Sequence, residues 1–210
     1  MPRGVGMRAM EAELLSGEAL YRTVVLERMA HARESIWIST ANVKAMFVEQ
    51  KGEFKPIVDL FGTLAARGVE LRILHAELPS KPFRQAFDRR RLLVQGGLEM
   101  KICPRVHFKA VLVDGAWVYL GSANLTGAGL GAKHAETRNF EVGFVTEDFD
   151  VIDRTSALFE SVWSGAECGR CRLRSLCPDP IGKAKSRTRK PRSRATEGIQ
   201  LGVSRRLGRR

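Results

Sequence analysis

A chain of 210 residues has room for one α/β domain with a small appendage, or at most two small domains, and a hydrophobic content of 44% suffices for a core. No apolar run approaches the roughly 18 residues of a membrane-spanning helix. The net charge of +12, from 35 Lys and Arg against 23 Asp and Glu, argues against a partner of the same sign and favours a polyanion.

The first ten residues, MPRGVGMRAM, hold Arg3 and Arg8 and no acid, but no apolar stretch follows and Glu11 and Glu13 arrive at once. No cleavable leader is therefore expected, and the reading is a soluble, cytoplasmic protein. Residues 18–33 place Leu20, Val24, Val25 and Met29 at helical spacing. SIWIST, at 35–40, is a short β-rich run and predicts a buried strand. Residues 54–67 predict a helix stopped by Gly68, and 69–76 alternate as a strand. Residues 81–95 predict another helix, closed by Gly96-Gly97, and 98–103 a third strand. Two strands follow within 106–124, a sixth at 139–146, and a last helix at 147–163. Strands alternating with helices predict an α/β fold, a mixed β-sheet flanked by helices. There is no internal repeat.

The stretch VHFKAVLVDGAWVYLGSAN, residues 106–124, reads as a hairpin turned at Asp114-Gly115, with the return strand from Ala116 to Leu120. Residues two apart share a face, so His107, Lys109, Val111 and Val113 point one way and Phe108, Ala110 and Leu112 the other. Asp114 has the opposite parity and reads as a turn residue. Beyond Gly121, the small polar residues Ser122, Asn124 and Thr126 suit a loop that caps backbone N–H groups or presents donors to an oxyanion. Asn139 and Glu141 share parity on the next strand, which brings a carboxylate toward the His-Lys face. An imidazole, a fixed ammonium and an amide donor together suit a phosphate diester. His31, His75 and His134 have no partner pattern and read as structural or exposed, with His134 in the loop after the hairpin.

His107-x-Lys109-x4-Asp114-x6-Gly121-Ser122-x-Asn124, followed by Asn139-x-Glu141, resembles the HKD signature of the phospholipase D superfamily. The resemblance covers residues 15–163. It implies a phospholipase D-like catalytic domain there, after an N-terminal extension at 1–14. It implies that His107 forms a covalent phosphohistidine, that Lys109 and Asn124 bind the phosphoryl oxygens with support from Ser122, and that Glu141 orients His107. Asp114 would be structural, and catalysis would need no metal or other cofactor. The family's site uses two such motifs and this chain has one. Resemblance to the single-motif members, small bacterial endonucleases and cardiolipin-hydrolase-like nucleases, therefore implies a homodimer that completes the site between two copies. The expected activity is a nuclease cleaving DNA or RNA, with a phospholipase or cardiolipin hydrolase, or a non-catalytic nucleic-acid-binding module, as alternatives.

Two further segments complete the chain. Within 164–181, CGRCRLRSLCPDP spaces Cys168, Cys171 and Cys177 as C-x2-C-x5-C. That spacing suits a chelate for structural zinc or an iron-sulfur cluster, with Cys103 or a nearby His as fourth ligand. The triplet also resembles that of certain iron-sulfur nucleases. Unligated thiols, or a redox pair at Cys168 and Cys171, are the other readings. Residues 182–210 hold eleven Lys or Arg, among them Lys183, Lys185, Arg187, Arg189, Lys190, Arg192 and Arg194, against one acid, Glu197. With almost no large apolar residues this segment reads as a disordered tether for nucleic acid or anionic lipid.

Overall fold

The computed structural model describes residues 8–178, so the basic residues from Lys183 onward lie outside the described residues. A seven-stranded mixed sheet has the order β1-β9-β8-β7-β2-β5-β6. Its parallel half joins β2 (Ser35–Thr40), β5 (Glu70–His75) and β6 (Glu99–Ile102). Its antiparallel half runs through β7 (Lys109–Val113), β8 (Trp117–Gly121), β9 (Val142–Thr146) and the edge strand β1 (Glu13–Ser16). β7 pairs antiparallel with β2, Ile36 opposite Val113 and Ser39 opposite Ala110, and so joins the halves.

The two-residue period of the strands sends alternate side chains to opposite faces of the sheet, and both faces carry buried apolar residues. One face carries Ile36, Ile38, Leu71, Ile73, Val111 and Val113. Against it pack a π-type helical segment, Leu20–Arg28, and α1 (Ile57–Ala66), with Phe83 of α2 (Lys81–Asp88) completing the layer. The other face carries Trp37, Leu74, Phe108, Leu112 and Val118. It is covered by α3 (Phe149–Trp163), whose Ile152, Thr155, Phe159 and Trp163 recur every three or four residues and form one buried stripe. Asp148 caps α3 by accepting from the Val151 N–H at 3.1 Å. Trp37, Phe159 and Trp163 stack in series at 5.3 and 5.5 Å, and the Arg72 guanidinium lies over both tryptophans.

The departures from the sequence reading have local causes. The helix expected from 54 begins at Ile57. Phe54 and Lys55 instead belong to β4 (Glu53–Pro56), which forms a two-stranded hairpin with β3 (Phe47–Gln50). Pro56 disfavours helical geometry at Lys55 and stands itself at φ −53°, ψ 142°, while Lys51 and Gly52 take the positive φ values of a tight turn. The helix expected over 81–95 breaks after Asp88. In a straight helix Phe83 and Leu93 would point about 80° apart. The break lets both bury in the same core, and Gly96, at φ +105°, turns the chain into β6. β7 begins at Lys109, so His107 stands just outside the ladder rather than within a strand.

Candidate active site

The mixed topology delivers several strand ends to one edge of the sheet. There β2 ends at Thr40 and β5 at His75, β7 begins at Lys109, β8 ends at Gly121 and β9 begins at Val142. Lys109 and Gly121 pair at this edge, with His107 just before one and Ser122 and Asn124 just after the other, whereas Asp114 lies at the far end of β7.

Lys109 extends the face of Val111 and Val113, and its Nζ donates to the backbone carbonyl of His107 at 2.6 Å. The ammonium is thus tied to the residue that bears the imidazole, while the His107 side chain is exposed. Asn124 is fixed from behind. Its Oδ1 accepts from the Ala41 N–H at 3.0 Å, the Thr40 hydroxyl at 3.2 Å and the Asn42 N–H at 3.3 Å. The two backbone N–H groups, which can only donate, identify that atom as the oxygen and leave Nδ2 as the donating end. Thr40 is the common anchor, since its Oγ1 also accepts from the Leu125 N–H at 3.0 Å.

Ser122 and Glu141 form the third element. The Ser122 hydroxyl donates to Glu141 Oε2 and accepts the Val142 N–H at 3.1 Å, while Asn139 Nδ2 donates to Glu141 Oε1 at 3.0 Å. Both carboxylate oxygens are engaged there, and no hydrogen bond joins Glu141 to His107 among the described residues. Beneath them lies a residue the sequence reading did not single out. Tyr119 is fully buried, and its ring leans along β8 over Gly121 and Gly143, which pair across β8 and β9. A Cβ at Gly121 would run into the Tyr119 hydroxyl and stand 2.7 Å from the Gly143 Cα, so the close approach demands glycine in both strands. The phenol accepts the Ala123 N–H at 3.3 Å. Burial, reinforced by the nearby Glu141 charge and opposed by the Ala123 hydrogen bond, leaves its pKa pushed up to about 12, so it stays neutral. The only trace of this in the sequence is two glycines in strands where β-formers are expected.

Asp114, at φ 55°, forms the hairpin turn with Gly115. Its carboxylate accepts from the backbone N–H groups of Arg33, Glu34 and Ser35 at 2.8–3.1 Å, which fixes where β2 begins. Burial acts to raise this carboxyl, but the Ser35, Glu34 and Arg33 N–H bonds outweigh it and hold the pKa below the ordinary carboxylate value. A depressed folded-state pKa gives stability that is present above the unfolded pKa and lost as pH falls through the folded one. Asp114→Ala is expected to destabilise the fold by about 1–3 kcal/mol at neutral pH, with a smaller difference from wild type in acid. Urea melts at neutral and acidic pH measure this, and a pH-independent difference would contradict it.

The remaining histidines stand apart. His31 is exposed, with Nδ1 3.0 Å from the Glu27 carbonyl, and His134 is exposed beside a cleft lined by Glu18, Tyr21 and Arg138. His75 is buried at the end of β5, where burial lowers its pKa and a bond to the Glu77 carbonyl at 2.8 Å partly opposes that. All four cysteines are free of disulfides, and among the described residues no three His, Cys, Asp or Glu groups stand ready to hold one metal ion. No helix among the described residues is long and apolar enough to cross a membrane.

The sheet edge thus carries an imidazole, an ammonium, an amide and a hydroxyl-carboxylate pair. The family described as "Cardiolipin synthase, PLD-like domain" matches residues 25–163, and the chain belongs to it, a phosphodiesterase of the phospholipase D superfamily. No curated protein matches the chain. Solved structures with a similar fold include Nuc from Salmonella typhimurium, a phospholipase D family member. It shares 18% identity at a TM-score of 0.52, covering 82% of this chain and all of that one. NucT from Helicobacter pylori shares 16% at 0.53, covering 73% of this chain and 95% of that one. TrmBL2, an archaeal chromatin protein described with a novel mode of DNA binding, shares 15% at 0.50, covering 76% of this chain and 54% of that one.

Proposed function

We propose that the chain is a nuclease of the phospholipase D type, cleaving DNA or RNA through a phosphohistidine and without a catalytic metal. The observation that carries this is the gathering of His107, Lys109, Asn124 and the Ser122–Glu141 pair at one sheet edge. An imidazole nitrogen of His107 attacks phosphorus, the bond from phosphorus to the leaving oxygen breaks, and a second imidazole protonates that oxygen. Water, giving a proton to that second imidazole, then attacks phosphorus as the bond to His107 breaks. Lys109 and the Asn124 amide donate to the non-bridging oxygens, where charge builds in the transition state. Glu141, held by Ser122 and Asn139, turns toward His107 when the site is assembled, since catalytic hydrogen bonds often tighten only in the complex.

Nucleic acid is favoured as substrate by the net charge of +12 and its concentration after residue 182. The DNA binding stated for TrmBL2 agrees with that choice. The second imidazole comes from another copy, because this chain has one motif and the described His75 is buried and bound elsewhere. The deciding experiment offers single-stranded DNA, duplex DNA, RNA, phosphatidylcholine and cardiolipin to the full chain in EDTA. Cleavage of a polynucleotide with both lipids intact is the expected result. Hydrolysis of lipid alone would move the assignment to a phospholipase, and inertness toward every substrate would leave a binding module.

A further inference from the structure

The residues that hold Asn124 also root the two walls of a cleft that the chemistry above leaves unused. On one side the chain leaves Asn42, bridges Val43 to Leu125, bonds the Lys44 N–H to the Leu125 carbonyl at 3.0 Å and enters the Phe47–Pro56 hairpin. On the other side it leaves Asn124 and folds back on itself. There the Leu130 N–H bonds the Thr126 carbonyl at 2.9 Å, and the Lys133 N–H bonds the Gly127 carbonyl at 3.1 Å. The walls meet at their roots, where a Cβ on Gly127 would stand 3.4 Å from the Met46 Cβ. Between them lies an open cleft of about 530 Å³, with Phe54 and Glu49 on the hairpin side and Lys133 and His134 on the loop side. The buried Tyr21 also lines it, its hydroxyl accepting the Glu49 N–H at 2.8 Å.

The hairpin wall is aromatic where packing gives it no reason to be. In the β3–β4 register Glu49 faces Phe54 and Phe47 faces Pro56, so the two phenylalanines are diagonal neighbours on one face, about 7–8 Å apart. That face points away from the core, because the alternate residue Val48 is fully buried. Phe54 is 64% exposed and Phe47 58%. The opposite wall is basic. Lys133 and His134 are exposed, Lys44 is exposed at the root of the hairpin, and no ion pair engages either lysine among the described residues. Of the two acids on the cleft, Glu18 is paired with Arg138 at 3.4 Å, and Glu49 is left unpaired among the described residues.

We propose that this cleft is the track along which a single polynucleotide strand leaves the catalytic edge, its bases stacked on Phe54 and Phe47 and its phosphates met by Lys44 and Lys133. The proposal rests on the nuclease reading and narrows it to single-stranded substrate.

A single strand needs an aromatic surface for its bases and cations for its backbone, and the two walls supply one each. A duplex keeps its bases paired inside and leaves an aromatic wall nothing to stack on. A lipid surface is the other partner that exposed phenylalanines suit, but the apex of this hairpin, Gln50-Lys51-Gly52-Glu53, is polar and both rings lie behind it. The track is also continuous with the chemistry. Both walls begin next to the Asn124 anchor, which hangs on Thr40, Ala41 and Asn42. A strand seated in the cleft therefore runs on to the group that donates to the phosphoryl oxygens.

The test compares the full chain with Phe54→Ala, Phe47→Ala and Phe54→Trp, all in EDTA, on labelled oligo(dT), oligo(U) and a DNA duplex of equal length. Fluorescence anisotropy should show single-strand affinity about 5- to 150-fold weaker in each alanine variant, recovered in Phe54→Trp, with duplex affinity unchanged. The oligo(dT) and oligo(U) arms tell a DNA track from an RNA one. Lys133→Ala should lower the salt dependence of single-strand binding, by about 0.7 in the slope of log affinity against log salt. Hydrolysis of bis(p-nitrophenyl) phosphate, too small to span the cleft, should keep its wild-type rate in every one of these variants. Single-strand affinity equal to wild type in both alanine variants would overturn the track. So would an equal loss on duplex, a loss of model-diester hydrolysis shared by Phe54→Ala and Phe54→Trp, or a loss of binding confined to phosphatidylglycerol vesicles. If wild type cleaves no polynucleotide while the alanine variants still lose single-strand affinity, the nuclease reading fails and the track stands as a binding groove.

Discussion

His107→Ala is expected to abolish phosphodiester hydrolysis, by at least about 10⁴-fold in kcat, and to leave the fold intact. The two halves of this expectation have separate physical grounds. Removing a nucleophile removes the covalent route itself, and the residual rate is whatever substrate binding and charge stabilisation supply alone. Stability is spared because the imidazole is exposed, stands just outside β7 and has no hydrogen bond among the described residues. The structural contact at this position is Lys109 Nζ on the His107 backbone carbonyl, which alanine keeps. Denaturant midpoints of the variant and wild type should therefore agree within the roughly 0.5 kcal/mol typical of surface substitutions. Single-turnover assays on the preferred substrate, beside melts of the same preparations, test both halves. A variant that cleaves within tenfold of wild type would remove His107 from the mechanism. One that fails to fold would show that the side chain has a packing role not visible at this edge.

What the sequence made legible was periodic or punctuated. The face assignment holds for the apolar residues, because Val111 and Val113 enter one core and Phe108 and Leu112 pack on the other side, while His107 stands before the strand begins. The stripe of α3 is equally plain, at 3.6-residue spacing. Short elements were illegible for a physical reason. β1 has four residues and buries only Leu15, too few for alternation to emerge. The Phe47–Pro56 hairpin hides its signal in Lys51-Gly52, where lysine takes a positive φ that the sequence does not announce. In the site, the spacing named His107, Lys109, Ser122, Asn124 and Glu141 but not what holds them. Asn124 hangs on Thr40, Ala41 and Asn42, 82 to 84 positions away in the chain, and local pattern carries no information at that separation. Tyr119 is missed similarly. In a strand a buried tyrosine reads as core, and only its lean over Gly121 and Gly143 makes it the floor under the Ser122–Glu141 pair.

Mixing wild type with His107→Ala should lower activity more steeply than dilution alone. Hydrolysis of a phosphodiester needs a group that protonates the leaving oxygen as well as one that attacks phosphorus. One chain carries a single His-x-Lys motif, and His75, the buried histidine nearest this edge in the sheet, is engaged by the Glu77 carbonyl and held neutral by burial. If two copies each lend one His107 to a shared site on a two-fold axis, a dimer with one alanine lacks either the nucleophile or the acid. Activity then falls as the square of the wild-type fraction, to about one quarter in an equal mixture that has exchanged subunits at random. Separate sites in each chain would give about one half. Co-expression with two affinity tags and sequential capture isolates the mixed dimer, which should be close to inactive per site. A mixed dimer with half the wild-type rate, or full activity in a chain that sediments as a strict monomer, would end the shared-site reading while leaving the role of His107 to its own test.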